Sequence, residues 1–568
     1  MKKSFIFHQF LMTIIFCVLC TGNIGAQRLK SGPQDLSFFS SVDETDQPYA
    51  VYIPENFDES RNYPLVIFLH GAWSNHRLGL RRVFGEGNIA GTDFILPNRV
   101  VVETDLEATR YWPDLKDVDY IVAAPYARGT AGYQGIPEQD VYEMLNDLKS
   151  RFSIDEDRIY LTGLSMGGGG TVWLSLTRPD IWAAVAPCCP APPDGSDELA
   201  SNVCNLPVHL FIGDKDFLYQ TALNWKEKYE NTAPVFNYIE YPGIGHNSWE
   251  YAYKDGFIFE WFSQFKRDLF PQQVKFKTKW FKYNKAYWVK FDNLTPGTLA
   301  SIDAKFIADN NIEITTSGLE AFSLNIEGHP MFIPGKRGTV TLDTKSFTFR
   351  TSDAVSFMKE NGLWVNKKFT PGLTAKQPGA EGPLYAAASS NHIYVYGTVG
   401  QEVIAERRAA IASLADWTGM GGRIMVFPRI IADREVRQSD YETSNLILFG
   451  TKETNSIIAK YADKLPVHLN PEAEKEYGLV YIFPLSQHYV VVNSGLPWWT
   501  PARQEGESGG ILFMGNKVEI LNQFEDFILF KETPYNIVAG GRFDNNWVLP
   551  AEALEAMKSS GVVTIKEP

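Results

Sequence analysis

A chain of 568 residues is too long for one hydrophobic core, so two or three domains are expected. At 44% hydrophobic residues it has enough apolar material for packed cores, which excludes bulk disorder. A net charge of −14 argues against nucleic-acid or polyphosphate partners.

The chain opens on Met1-Lys-Lys-Ser, continues with an apolar run from Phe5 through Cys20, and reaches Ile24-Gly-Ala26. A basic start, an apolar stretch and a small-residue site form the pattern of a secretory signal peptide over residues 1–26. The run is broken by His8 and Gln9 and is short for a membrane span, and Cys17 and Cys20 lack the preceding small residues of a lipobox. Cleavage after Ala26 would remove two lysines and no acids, taking the charge from −14 to −16. A secreted or periplasmic protein without stable membrane insertion is the expectation.

Residues 27–270 alternate strand and helix signals, the pattern of a mostly parallel sheet covered by helices on both faces. The first apolar strand, Tyr63 to Leu69, ends in His70-Gly71-Ala72-Trp73. An amphipathic helix is expected over Glu138–Phe152, with Asp140 near its start. Next comes Arg158-Ile-Tyr-Leu-Thr-Gly163-Leu-Ser165-Met166-Gly167, a strand, a Gly-x-Ser-x-Gly turn and the start of a helix running to about Thr177. Two further strands follow, Leu206–Gly213 ending in Asp214-Lys-Asp216, and Phe236–Tyr241 ending in a glycine-framed His246. A last helix is expected from Trp249 to Phe265, with a domain boundary near Pro271.

These strand ends carry the chemistry. A serine at a tight strand-to-helix turn is exposed next to helical N–H groups that stabilise developing negative charge. Its hydroxyl needs a base, and the base needs a carboxylate to fix its tautomer. Ser165, then Asp214 or Asp216, then His246 is the order of nucleophile, acid and base in α/β hydrolases. Met166 follows the nucleophile and supplies one oxyanion N–H; Ala72 or Trp73, after the first strand, supplies the second. His70 is expected to be a structural loop residue. Trp73 and Trp249 adjoin the oxyanion turn and the histidine, and are expected to line the substrate pocket.

Beyond the boundary the pattern changes. Lys275–Lys290 alternates lysine with aromatics and reads as a hairpin with one packed and one solvated face. With Trp280–Tyr283, Tyr287–Phe291, Asn311–Thr316, Ala321–Ile326 and Thr339–Leu342 it forms a small antiparallel β-unit over residues 271–350. From residue 351 to 568 a second, smaller α/β domain is expected. His392–Gly400 leads into an alanine-rich helix Gln401–Trp417, and Asn445–Asn455 leads into a helix Ser456–Leu465. Both units turn on Gly-Thr, which is the need of a tight β–α turn for glycine, and neither has a full Gly-x-Gly-x-x-Gly. Trp498-Trp499 is a candidate sugar-stacking pair, although most tryptophans are core.

Cys188, Cys189 and Cys204 follow the nucleophile helix; an oxidising compartment permits a bridge from Cys188 or Cys189 to Cys204. Their spacing fits no common zinc site, and neither a metal nor another cofactor is expected.

Residues 48–268 resemble the α/β-hydrolase superfamily. Within it they are most similar to the polyhydroxybutyrate-depolymerase and feruloyl-esterase group and to the prolyl-oligopeptidase catalytic domain. The resemblance rests on Tyr49–Phe57, Leu65–Gly71, Ser153–Gly168 and the Asp216 and His246 turns. It implies hydrolysis through an acyl-enzyme, and it favours Asp216 over Asp214, since the second aspartate of such Gly-Asp-x-Asp turns usually faces the histidine. The two-part layout resembles secreted bacterial proteins of prolyl-oligopeptidase-like type, whose substrates are often plant cell-wall esters. It implies no chemistry for the C-terminal half. The expected function is a serine esterase acting on feruloyl or acetyl esters of an oligosaccharide or polysaccharide such as xylan. A peptidase acting on peptides is the alternative, although no propeller-like repeat is visible in the chain. A non-catalytic binding protein on a hydrolase scaffold is the third reading.

Overall fold

The computed structural model describes residues 29–87, 105–372, 375–400, 428–485, 488–499 and 524–566, together with 406, 407, 426 and 521. The expected signal peptide and all but two residues of the expected helix 401–417 lie outside the described residues.

The N-terminal domain is built on one eight-stranded sheet. Its strands are β1 (Gly32–Ser40), β2 (Thr45–Ile53), β3 (Tyr63–Leu69), β4 (Ile121–Pro125), β5 (Ile154–Leu164), β6 (Ala184–Cys188), β7 (Val208–Gly213) and β8 (Phe236–Tyr241), in the order β1-β2-β4-β3-β5-β6-β7-β8. β1 and β2 run antiparallel, and β4 through β8 run parallel with β3. The apolar runs that mark β3, β4, β6 and β7 are buried along their whole length, as central strands covered on both faces must be. The helices Ile136–Arg151 and Met166–Thr177 pack on the sheet. Crossover connections place the carboxyl ends of β3, β5, β7 and β8 on one edge, where open α/β sheets carry their sites.

The expected single helix Trp249–Phe265 is broken in three: Trp249–Ala252, a turn at Lys254–Gly256, and Phe257–Phe262. Asp255 and Gly256 sit at φ 58° and 74°, in the left-handed region, and a helix cannot pass through them.

The β-rich unit is a sandwich of two five-stranded sheets around one core, running from Gln273 to Asn366. One pair, Asn311–Ser317 with Arg337–Leu342, is parallel, so the unit is not purely antiparallel. The lysine–aromatic run is not one hairpin. Gln273–Thr278 belongs to one sheet and Val289–Leu294 to the other, and the expected strand Trp280–Tyr283 holds a 3₁₀ turn, Phe281–Tyr283. Thr278 Oγ1 accepts the Trp280 N–H at 3.1 Å and ends the strand. The aromatic rings then dock on the hydrolase domain, where Tyr283 donates to Glu138 Oε2 at 2.6 Å and Trp173 packs edge-on against Trp280 and Tyr283.

The C-terminal domain has a seven-stranded mixed sheet with its own core. Four strands (Arg429–Ala432, His392–Tyr396, Asn445–Phe449 and His488–Gly495) are parallel, and Tyr477–Leu485, Phe527–Lys531 and Ile537–Gly541 continue antiparallel. The helix expected to reach Leu465 stops at Lys460. The Gly-Thr turns close on protein groups: Asp433 accepts the Thr398 hydroxyl and, at 2.7 Å, the Ser456 N–H. Trp498 and Trp499 are buried, and Trp498 donates to Asn493. They form core, not a sugar platform. No described helix is long and apolar enough to cross a membrane.

Candidate active site

Ser165 stands between β5 and the helix Met166–Thr177, at φ 54°. A serine there is strained by about 1–3 kcal/mol, and the surroundings hold it. Its N–H bonds the Cys188 carbonyl at 3.0 Å, and its carbonyl accepts from Gly169 and Ala191. Gly167 is required by close approach: a Cβ at that position would lie 2.0 Å from the Leu69 carbonyl oxygen. Glycine thus lets the helix start press against the end of β3, and brings the β3 turn beside the serine.

His246 follows β8. Its Nε2 lies 2.8 Å from Ser165 Oγ, and its Nδ1 lies 2.9 and 3.0 Å from the two Asp216 oxygens. With the proton on Nδ1 facing the carboxylate, Nε2 presents its lone pair to the serine hydroxyl. Asp216 is buried, and its Oδ1 also accepts the Leu218 N–H at 2.8 Å, which fixes the carboxylate plane. Asp214 does not face the histidine. Its Oδ1 accepts the Gly243 N–H at 2.7 Å, and the neighbouring Lys215 N–H bonds the Ile244 carbonyl, so this turn braces the loop that carries His246.

Burial opposes a charge on His246, while a Cys189 thiolate and the Asp216 carboxylate favour one; the balance lies above the usual histidine value of 6.5. Burial also pushes the Cys189 thiol well above its usual range, so at neutral pH it is uncharged and Asp216 is the group that supports the imidazolium. A base must be neutral to take a proton. The acid limb of kcat/KM is therefore expected to follow the titration of His246, with activity falling as the pH drops through it; a pH–rate profile checks this.

The β3 turn runs past the serine, for a Cβ on Gly71 would lie 3.5 Å from Ser165 Cβ. His70 is buried, with its ring nitrogens 2.8 Å from the Gly71 carbonyl and 2.9 Å from that of Tyr126, and burial pushes its pKa down. It is a neutral structural ring. The Trp73 N–H is donated to Thr130 Oγ1 at 2.8 Å, so it is already committed within the protein.

Trp249 is buried edge-on against the His246 ring at 5.3 Å, with the Arg82 guanidinium over it at 5.4 Å. It backs the base. Trp73 is 44% exposed, and a ring that sequence reasoning overlooked, Phe217, is 55% exposed, with its centroid 4.4 Å from that of His246. Its position directly after Asp216 was the available signal. Cys188, Cys189 and Cys204 are unbridged. The Cys189 thiol lies beside the triad, donating to the His246 carbonyl at 3.5 Å. One sulfur, one carboxylate and one imidazole thus come within 4.8 Å of each other, but the last two are committed to one another.

Residues 40–273 match the model of the family described as "Putative esterase". Dipeptidyl-peptidase 5 of Aspergillus fumigatus is 28% identical over 158 residues, 25% of this chain and 18% of that protein. Poly(3-hydroxyalkanoate) depolymerase C of Paucimonas lemoignei is 38% identical over 52 residues, 9% of this chain and 13% of that protein. The chain thus spans less than a fifth of the length of either relative. Among solved structures, a ferulic acid esterase from Anaeromyces mucronatus overlaps 42% of this chain and 91% of its own, at 19% identity and a TM-score of 0.30. Residues 40–273 thus match an esterase family, and their eight-stranded, mostly parallel sheet has the strand order of an α/β-hydrolase fold.

Proposed function

We propose that this protein is a secreted serine esterase that removes feruloyl or acetyl groups from plant polysaccharide through an acyl-enzyme. The observation that carries the reading is the unbroken line from Ser165 Oγ through His246 to Asp216, with contacts of 2.8 and 2.9 Å, in a domain that matches an esterase family. In the proposed mechanism Ser165 attacks the ester carbonyl while His246 takes its proton. Asp216 fixes the Nδ1–H tautomer and supports the imidazolium. The Met166 and Ala72 N–H groups hold the oxyanion; Ala72 takes this role because the Trp73 N–H is bonded to Thr130. His246 then protonates the departing alcohol, and water attacks the acyl-enzyme with the same residue as base.

The exposed rings of Phe217 and Trp73 support an aromatic acyl group, since a flat ring gains both buried area and ring contact there. Phe217→Ala is expected to lower kcat/KM for methyl ferulate about 10-fold, corresponding to roughly 1.4 kcal/mol of lost contact, while p-nitrophenyl acetate changes about twofold at most. An equal loss on both substrates would remove the ring from the acyl pocket.

The second reading, a serine peptidase, draws on the similarity to dipeptidyl-peptidase 5. Assaying the wild type and Ser165→Ala on methyl ferulate, acetylated xylan, p-nitrophenyl acetate and a proline-containing peptide anilide separates the two. Ser165-dependent turnover of ferulate or xylan acetate supports the esterase; turnover of the anilide alone overturns the substrate class and keeps the triad.

A further inference from the structure

The loop from Tyr126 to Gly135, after β4, performs no step in the proposed mechanism, yet it meets the oxyanion turn and His70, the residue just before it, at three points. Thr130 Oγ1 accepts the Trp73 N–H at 2.8 Å, the Tyr126 carbonyl faces His70 Nε2 at 2.9 Å, and the Tyr133 hydroxyl donates to the His70 carbonyl at 3.1 Å. The turn itself, Gly71 to Ser74, is closed by Ser74 N–H on the Gly71 carbonyl at 3.3 Å. Its third residue, Trp73, sits at φ 57°. A bulky residue disfavours this left-handed conformation. Flipping the central peptide of such a turn would return the third residue to negative φ. That peptide joins Ala72 to Trp73, and its N–H is the one Thr130 accepts. The hydroxyl of Thr130 therefore holds the turn on the strained side of the flip.

The loop is fastened from behind. Arg128 is fully buried and pairs with Asp140 at 2.7 Å and Asp43 at 2.5 Å, also donating to Ser40 Oγ at 2.7 Å. Ala131 and Ile136 are packed into the core of the C-terminal domain. From that domain the Tyr385 hydroxyl donates to the Gln134 carbonyl at 3.2 Å, and its ring fills the space over Gly135, where a Cβ would lie 2.0 Å from the hydroxyl oxygen.

We infer that Thr130 is a positioning residue of the esterase reaction, and that the C-terminal α/β domain holds the oxyanion turn in place through the 126–135 loop. The inference rests on the Ser165 esterase reading. It gives the C-terminal half a part in catalysis without a ligand of its own.

The test uses the whole protein. Thr130→Val keeps the shape and removes the acceptor; Thr130→Ser keeps the hydroxyl; Thr130→Ala serves if the valine variant does not fold. Steady-state kinetics on p-nitrophenyl acetate and the affinity of phenylboronic acid, which forms a tetrahedral adduct, are measured beside the melting temperature. Thr130→Val is expected to lower kcat about 10- to 100-fold with KM within about twofold, and to weaken boronate binding in parallel. Thr130→Ser is expected to recover most of the loss. Tyr385→Phe is expected to lower kcat about 3- to 10-fold at unchanged KM, a fraction of the loss of a direct oxyanion donor. Wild-type kcat in folded Thr130→Val, a loss that serine does not recover, or a change in KM alone would overturn the role of Thr130. Wild-type kcat in Tyr385→Phe would overturn that of the C-terminal domain. Absence of Ser165-dependent turnover in the wild type would instead sink the esterase reading.

Discussion

Ser165→Ala is expected to lower kcat by about 10⁴-fold or more while leaving the fold intact. The argument is geometric. Oγ sits 2.8 Å from the only base in line with Asp216 among the described residues, and no other described hydroxyl is bonded to that ring. Alanine removes the nucleophile and leaves the oxyanion donors, so the residue of activity would be what binding and the oxyanion hole supply alone. Backbone contacts of residue 165 to Cys188, Gly169 and Ala191 do not involve the hydroxyl, so the turn persists. Stability should change by no more than about 1 kcal/mol, the net worth of one hydrogen bond. Since the triad acts as a unit, Ser165→Ala combined with His246→Ala is expected to cost little more than either alone. Kinetics on p-nitrophenyl acetate beside a thermal melt check both parts.

Asp216→Asn is expected to cost about 10³- to 10⁴-fold in kcat with almost no change in shape. Oδ1 accepts the Leu218 N–H at 2.8 Å, and an asparagine would keep its carbonyl oxygen there. Its amide nitrogen would then occupy the place of Oδ2, 2.9 Å from His246 Nδ1. A donor at that point favours an accepting Nδ1 over the Nδ1–H that the retained oxygen, 3.0 Å away, could still take, and so shifts the imidazole proton toward Nε2. Ser165 would then face an N–H where it needs a lone pair. The same change removes the carboxylate that supports the imidazolium, so the acid limb of the remaining activity should shift to lower pH. A variant with near wild-type kcat would show that the carboxylate neither orients nor supports the base.

The chemistry was legible where local sequence and tertiary position coincide. Ser165, Asp216 and His246 each follow an apolar run and a glycine, so each is placed at a strand end by residues next to it. Parallel strands then bring the three ends to one edge, whatever the intervening chain. Phe217 is marked only by following Asp216, and Thr130 carries no such mark: its role comes from a contact with Trp73, which no local pattern encodes. The choice between Ala72 and Trp73 likewise depends on a hydroxyl 57 residues away. Where sequence reading of the fold failed, a tertiary or turn effect overrode an apolar pattern. Trp280–Tyr283 alternates like a strand but is drawn into a 3₁₀ turn by docking on Trp173 and Glu138. Trp249–Phe265 reads as one helix until Asp255 and Gly256 turn left-handed. Cys204 bonds the Lys275 backbone rather than another cysteine, and strand packing, not spacing, decides that.

The most direct test of the triad is covalent. Folded protein at neutral pH is treated with a fluorophosphonate, which reacts with activated serines, and the adduct is mapped by mass spectrometry. The account predicts one adduct, on Ser165, formed rapidly in the wild type, lost in Ser165→Ala and strongly slowed in His246→Ala. A folded wild type that takes no label, or takes it on another residue while esters are still hydrolysed, would contradict it.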